Sequence, residues 1–479
     1  MKKLLTLFFS LSFTFSYAQH KIKGEKLLED FDTLVSELRL QHQGLYNYID
    51  KNDTDSILDS IRNTLKNGKT YLEFYEDTRL VIGLTNEGHT SIDLPKKQMI
   101  KFGLSKSFLP LKVKFCDNHL IVVQNYGKEM QDLKQGTEIL SVNGRSIDEI
   151  CNKIYPLIPS DGFNVTSKNE WVGGIIFSLL NRLAYGKEKE LVLEVKELDS
   201  SIIKKIDLKP VRLSRFKTKN ALYPKIDLDY KHFVFEQIND SIAYMSIPTL
   251  GTDSIDYAQT YQSYFSKVDS LNIKHLIIDV QENGGGTEGK ENLLFSYLYH
   301  DVFQKYKRIT MLPKPYEINK EDEDYIEDKW ALKGDKAYRG DYTLMSDYYS
   351  NLGFKHPKEH LIYDGKVYVL ISGKTFSGGT EFSSLVKMTN RGLFIGEETG
   401  GTYEGNVSGY AEYVTLPNTK IEVNIPTVHF QMKVNPKERG RGVLPDYRVP
   451  EKPQDYLNGV NTKKEFAIQL ILNSKAPEL

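Results

Sequence analysis

Ser377 follows the apolar run Val367–Ile371 by six residues, and Gly378 and Gly379 come straight after it. The next residues, from Thr380 to Met388, have the makings of a helix. A hydroxyl set just past a strand and at the mouth of a helix is well sited to act as a nucleophile. The turn exposes it, glycine at the next position lets a carbonyl approach the main chain, and the helix N-terminus favours developing negative charge. A second junction of the same kind runs from His275 to Gly289, with Asp279 near a strand end and Gly284-Gly285-Gly286 in the loop. Its main chain can supply a further amide to an oxyanion. Each junction also has a plainer use. Serine before an apolar helix is by default an N-cap. The triple glycine could cradle phosphate, but both the G-x-G-x-x-G and the Gly-Lys-Ser/Thr spacings are missing. A third group, His356-Pro357-Lys358-Glu359-His360, spells the H-x-x-E-H of one zinc peptidase class. Pro357 in a polar, turn-rich stretch argues against the helix that would align both histidines, so no metal is expected there.

The elements that must hold these groups follow from periodicity. Leu27, Phe31, Leu34 and Leu38, then Ile57, Ile61 and Leu65, recur at helical spacing, and Asn67-Gly68 separates two helices. A third helix is expected from Tyr71 to Leu84. From Leu111 to Gln124 the pattern turns strand-like around Asp117-Asn118, and a tight turn at Gly136 leads to a short strand and an Asn143-Gly144 hairpin turn. The roughly 45 residues before the next clear strand, Glu190–Val195, should carry extra helix. From Ser241 onward strands and helices alternate: strands at 241–248, 274–280, 366–371 and 393–396, helices at 254–271, 291–299 and 377–388. That alternation implies βαβ units and a largely parallel sheet. A hairpin is expected at about 408–415 and 420–427, and a polar insertion at about 310–360.

Composition narrows the function. The chain has 479 residues, 63 Lys+Arg against 64 Asp+Glu, and 2 Cys. Balanced charge argues against nucleic acid as a partner and against a polybasic membrane patch. Two cysteines exclude a disulfide scaffold and a four-Cys zinc site; Cys116 and Cys151 could pair or remain buried thiols. Lys2 and Lys3, an apolar run over 4–15 and Ser16-Tyr17-Ala18 have the layout of a secretory signal peptide ending at residue 18. The mature chain is therefore expected to be exported, periplasmic or secreted, without stable membrane insertion.

Six pieces in order resemble the C-terminal processing (tail-specific) peptidase family, which includes the tricorn core. They are NEGHTSI at 86–92, a PDZ-like stretch around 133–144, LIIDVQENGGG, TFSGGTEF, IGEETGG at 395–401 and GRGVLPDYRV at 440–449. The resemblance implies an α/β fold with a crotonase-like (ClpP/crotonase) core, a PDZ-like domain and an N-terminal helical cap. The boundaries read from it are 1–18 signal peptide, 19–100 helical domain, 101–210 PDZ-like domain, 211–455 peptidase core and 456–479 C-terminal helix and tail. One branch of the family places a catalytic Lys in a Thr-Gly-Lys-Gly segment. Here that segment reads Thr399-Gly400-Gly401-Thr402, so the tricorn-like branch is implied, with His89 of Gly88-His89-Thr90 as general base. Gly88 stands where that branch has Ser. The orienting acid is Glu438, or its rival Glu404, and the oxyanion donors are the amides of Gly378 and Gly285. Asp279 and Glu381 read as structural.

The resulting expectation is an exported serine endopeptidase acting on peptides or unfolded proteins, with no metal or organic cofactor. Two alternatives remain open: a non-catalytic ligand- or peptide-binding protein similar to interphotoreceptor retinoid-binding protein, and a crotonase-like acyl-CoA enzyme. The leader argues against the latter.

Overall fold

A computed structural model of the protein describes residues 21–127, 133–301, 303–311 and 359–473. The leader segment 1–18 and His356 of the H-x-x-E-H run lie outside the described residues. Sixteen strands are found among the described residues. In chain order they are β1 (Ser91–Asp93), β2 (Leu111–Cys116), β3 (His119–Asn125), β4 (Glu138–Val142), β5 (Arg145–Ser146), β6 (Leu191–Lys196), β7 (Ile203–Leu208), β8 (Val234–Asn239), β9 (Ile242–Ser246), β10 (His275–Asp279), β11 (Tyr306–Met311), β12 (Lys366–Ile371), β13 (Gly392–Gly396), β14 (Gly405–Thr415), β15 (Glu422–Met432) and β16 (Tyr447–Arg448).

The C-terminal half is built on a six-stranded sheet ordered β16-β13-β12-β10-β9-β8, parallel except for β8. Its central strands are apolar at nearly every position because both faces are covered. Ala243, Met245, Leu276, Ile278, Val369 and Ile371 face one buried layer, shared with the helices Tyr257–Ser270, Lys290–Ser296 and Gly378–Met388. Ile242, Tyr244, Ile277, Tyr368 and Leu370 face the other, closed by the helix Thr462–Asn473. Strands β10 and β12 are parallel neighbours in register from His275↔Lys366 to Asp279↔Leu370. Their outgoing loops therefore emerge side by side at the carboxyl edge, where ligands bind in open parallel sheets.

The middle region forms a second sheet ordered β2-β3-β4-β6-β7, with β5 on β4. Its hairpin turns place Asp117, Asn118, Asn143 and Gly144 at positive φ, as the sequence signals require. The extra helix expected after Gly144 is present as Ile147–Ile154, Val165–Val172 and Ile176–Tyr185. Cys116 and Cys151 are buried, free thiols. One apolar core runs from the N-terminal helices (Leu27, Phe31, Phe74) through this sheet (Val113, Val142, Leu193) to Val423 and Ile425 of β15.

The third sheet was not anticipated. β14 and β15 form the expected hairpin, longer than read, and β15 also pairs antiparallel with β1 and β11. The N-terminal region is thus tied to the C-terminal half by β1, in register Ser91↔Asn424 to Asp93↔Glu422. Buried Asp30 adds a second tie by accepting the main-chain amides of Asn418 and Thr419, at 2.7 and 2.8 Å. No helix among the described residues is long and apolar enough to cross a membrane.

Candidate active site

Ser377 occupies the N-cap position of the helix Gly378–Met388, yet its side chain makes no capping bond. Its backbone sits at φ 50°, ψ −126°, a conformation that costs a non-glycine residue about 1–3 kcal/mol and persists only where the surroundings enforce it. Those surroundings are the triple-glycine loop. A methyl group on Gly285 would fall 2.7 Å from Ser377 Cβ and 2.8 Å from the Gly378 amide nitrogen. One on Gly379 would fall 2.3 Å from the Asn283 carbonyl oxygen. Only glycine allows the two loops to approach this closely. The Gly378 N–H, in the first helical turn, has no acceptor among the described residues. The Gly285 N–H differs from expectation: it donates to Asn283 Oδ1 at 2.9 Å. Asn283 is itself fixed through its Nδ2, which donates to the Ile247 carbonyl at 2.8 Å. Gly285 therefore shapes the cradle by making room, while its amide holds the loop.

His89 lies in the loop just ahead of β1, about 290 residues before Ser377. The fold closes that gap. Its ring lies against the ring of Phe376, the residue preceding Ser377, with centroids 4.6 Å apart and planes at 31°. Asn424 of β15 donates to the His89 carbonyl at 3.1 Å. Burial pushes the His89 pKa down to about 4, opposed only by the charge of Glu381. The imidazole is thus neutral at ordinary pH, the state a general base needs. Its Nδ1 is buried and has no hydrogen-bond partner.

Neither acid expected to serve His89 bonds to it. Glu438 is 68 % exposed and pairs with Arg441 at 3.4 Å. Glu404 accepts the Gly440 N–H at 3.2 Å and faces Arg439 at 3.5 Å. Both flank the Arg439-Gly440-Arg441 turn, whose cations and amide claim them. Glu398 clamps the same turn, receiving Arg441 at 2.9 and 2.6 Å and the Gly442 N–H at 2.7 Å. Asp279 is structural as read: buried, it accepts from the Tyr244 hydroxyl at 2.9 Å and from Asn461 at 3.0 Å.

Two carboxyls beside His89 escaped sequence reasoning. Glu87 is fully buried and accepts from Asn47 Nδ2 at 3.2 Å and from the Val407 N–H at 3.0 Å. Asp161 is equally buried and accepts the Gly88 N–H at 2.6 Å. Burial raises both, Asp161 to about 7, and Asp161 in turn helps to raise Glu87. Asp161 comes from the helical insertion of the middle region. That insertion is stitched into the site: Gly162 N–H donates to the Asn86 carbonyl (2.8 Å), Phe163 N–H to Gly440 (2.9 Å) and Thr166 Oγ1 to Glu398 (2.9 Å). Asp161-Gly162 resembles any loop in sequence, so no signal could have found it. Glu87 stood beside His89 in the quoted run, and its neighbourhood was the one available hint.

Glu288, Glu291 and Glu381 converge closely enough to ligate a cation. The fully buried Lys305 already fills that role, donating to Glu288 at 2.9 Å and Glu291 at 2.7 Å and pairing with Glu381. Glu381 also accepts from the Tyr306 hydroxyl at 2.9 Å and from Asn406 at 3.1 Å. An internal ammonium thus neutralises the acids beside the helix Gly378–Met388.

Comparison with known proteins agrees with this architecture. Residues 241–449 match Peptidase family S41. No curated protein matches the chain. Among solved structures, mature CPAF is similar at 15 % identity and TM-score 0.61, covering 95 % of this chain and 99 % of that one. Mature CPAF complexed with lactacystin gives the same identity and TM-score over 93 % and 97 %. A photosystem II D1 C-terminal processing protease aligns at 13 % identity and TM-score 0.41, over 88 % and 92 %. At these identities the CPAF likeness speaks for the α/β fold.

Proposed function

We propose, from the premise that this chain carries a peptidase family S41 domain over residues 241–449 and is a serine-type peptidase, that it is an exported endopeptidase with Ser377 as nucleophile and His89 as base. Ser377 Oγ attacks the scissile carbonyl carbon and passes its proton to the imidazole. The oxyanion is received by the Gly378 N–H and the adjoining glycine loop. The imidazolium then gives its proton to the leaving amine, and water repeats the sequence on the acyl-enzyme. Peptides or unfolded segments are the substrates, and no step requires a metal or cofactor. Residues 211–455 are read as a crotonase-like core, 101–210 as PDZ-like, 19–100 as a helical cap and 456–479 as a C-terminal helix and tail. Export rests on the leader-like segment 1–18.

The observation that carries this reading is Ser377 itself. It is a serine at a cap position, in a strained backbone, with its hydroxyl unused and the Phe376–His89 contact alongside. A cap or a ligand-binding site has no need of that strain. A fluorophosphonate probe tests it. Wild type should label at Ser377, and Ser377→Ala should lose labelling and at least about 10⁴-fold in kcat. Wild type that neither labels nor hydrolyses peptides would favour the non-catalytic binding protein, and hydrolysis unchanged in Ser377→Ala would remove Ser377 as the nucleophile.

A further inference from the structure

We propose that Asp161, delivered by the middle region, is the positioning residue that orients His89 and steadies its charged form. The inference rests on the peptidase reading above and adds the missing third member.

Two side chains converge on Gly88. A methyl group there would fall 2.8 Å from Phe376 Cζ and 3.2 Å from Asp161 Oδ1. Phe376 is the ring that lies against His89. Asp161 Oδ1 takes the Gly88 N–H, which fixes the peptide leading into His89. Asp161 Oδ2 and His89 Nδ1 are both buried and make no close hydrogen bond, although the Thr402 amide also bears on the Asp161 carboxyl. An unsatisfied buried polar atom costs about 1–3 kcal/mol. Two of them, on residues joined through Gly88, are natural complements, an acceptor and a donor, and the proposal joins them directly or through one water. The other acids nearby are already committed. Both oxygens of Glu87 are used by Asn47 and Val407, and those of Glu381 by Tyr306, Asn406 and Lys305. Glu404 and Glu438 belong to the arginine turn. This arrangement also accounts for glycine at position 88, where the tricorn-like pattern has serine: a side chain there would displace Asp161 or Phe376.

An acid in this place holds the imidazole with Nδ1 protonated and leaves Nε2 to take the proton of Ser377. Glu87, Glu381 and the Tyr48 hydroxyl lie around the Asp161 carboxyl; burial, aided by the charge of Glu381, keeps its proton affinity high against the Gly88 and Thr402 amides that lower it. Ionised Asp161 supports catalysis, so activity should rise with pH as it loses its proton near 7.

Asp161→Asn in the full chain keeps an acceptor for Gly88 and removes the charge. The expected result is a kcat lower by on the order of 10²–10⁴-fold with KM within about threefold. Thermal stability should be close to wild type, and the pH–rate limb near 7 should be lost. A kcat within threefold of wild type, or an unaltered limb, overturns the assignment. A second measurement needs no variant: ¹⁵N NMR of histidine-labelled wild type should report the Nδ1–H tautomer for His89, and the Nε2–H tautomer overturns the proposal. Failure of this idea is separable from failure of the peptidase reading. In the first case wild type still labels with fluorophosphonate and hydrolyses peptides; in the second it does neither.

Discussion

Ser377 and His89, the proposed nucleophile and base, are held in opposite ways. Ser377 is positioned by main chain: a parallel sheet in register, a helix start, and glycines that let two loops touch. His89 is positioned by side chains from three distant stretches: Phe376, Asn424 and, through Gly88, Asp161. Backbone positioning is local and rigid. Side-chain positioning depends on three regions folding together, and it places several buried acids around one histidine. The nucleophile's geometry is thus a property of one fold, whereas the base's geometry is a property of an assembly within the chain.

Substitutions can press on each side of this contrast. The largest effect is expected at Gly285→Ala. The added methyl cannot coexist with Ser377 Cβ and the Gly378 amide, and Gly285 sits at φ +95°. Peptide hydrolysis should fall by on the order of 10²–10³-fold, comparable to losing an oxyanion donor. Near-normal kinetics would show that backbone packing does not set the nucleophile. The next effect lies on the histidine side. His89 has a folded pKa of about 4, below its unfolded value, so the unfolded chain binds the extra proton first. Its contribution to stability is complete above about pH 6.5 and is lost as pH falls toward 4, by up to about 3 kcal/mol. His89→Gln should therefore gain in melting temperature relative to wild type as pH drops through that window. A constant difference across pH 4–7 would argue that the ring is not buried neutral. The smallest effect is expected at Glu438→Gln. An exposed carboxylate on Arg441 should change kcat/KM by less than about twofold. A hundredfold loss would restore Glu438 as the orienting acid and weaken the case for Asp161.

The same contrast explains what the sequence makes legible. Strands β9, β10, β12 and β13 and the helix after Ser377 were readable because a doubly covered parallel strand is a short apolar block. Glycine spacing around Ser377 is likewise local information. The Asp117-Asn118 and Asn143-Gly144 turns announced their hairpins. Missing from the reading were β11, which supplies the third edge contact of β15, and the burial of Lys305 beside it. Lysine carries no signal that three glutamates will surround it. Asp161 was missed for the same reason, since its role exists only once the insertion packs against residues 86–88. Glu438 and Glu404 were reasonable by position in the chain, but Arg441 and Arg439 of one turn hold them elsewhere.

The pairing of β1 with β15 also has a consequence for biosynthesis. His89 and the Asn424 that supports it are 335 residues apart, and contacts of such separation form late. While the ribosome is still making the core, the base has no strand to dock on, and the nucleophile has not been matched with it. The order of synthesis thus sets when Ser377 and His89 can first meet: not before β15 is complete and the N-terminal segment closes onto it.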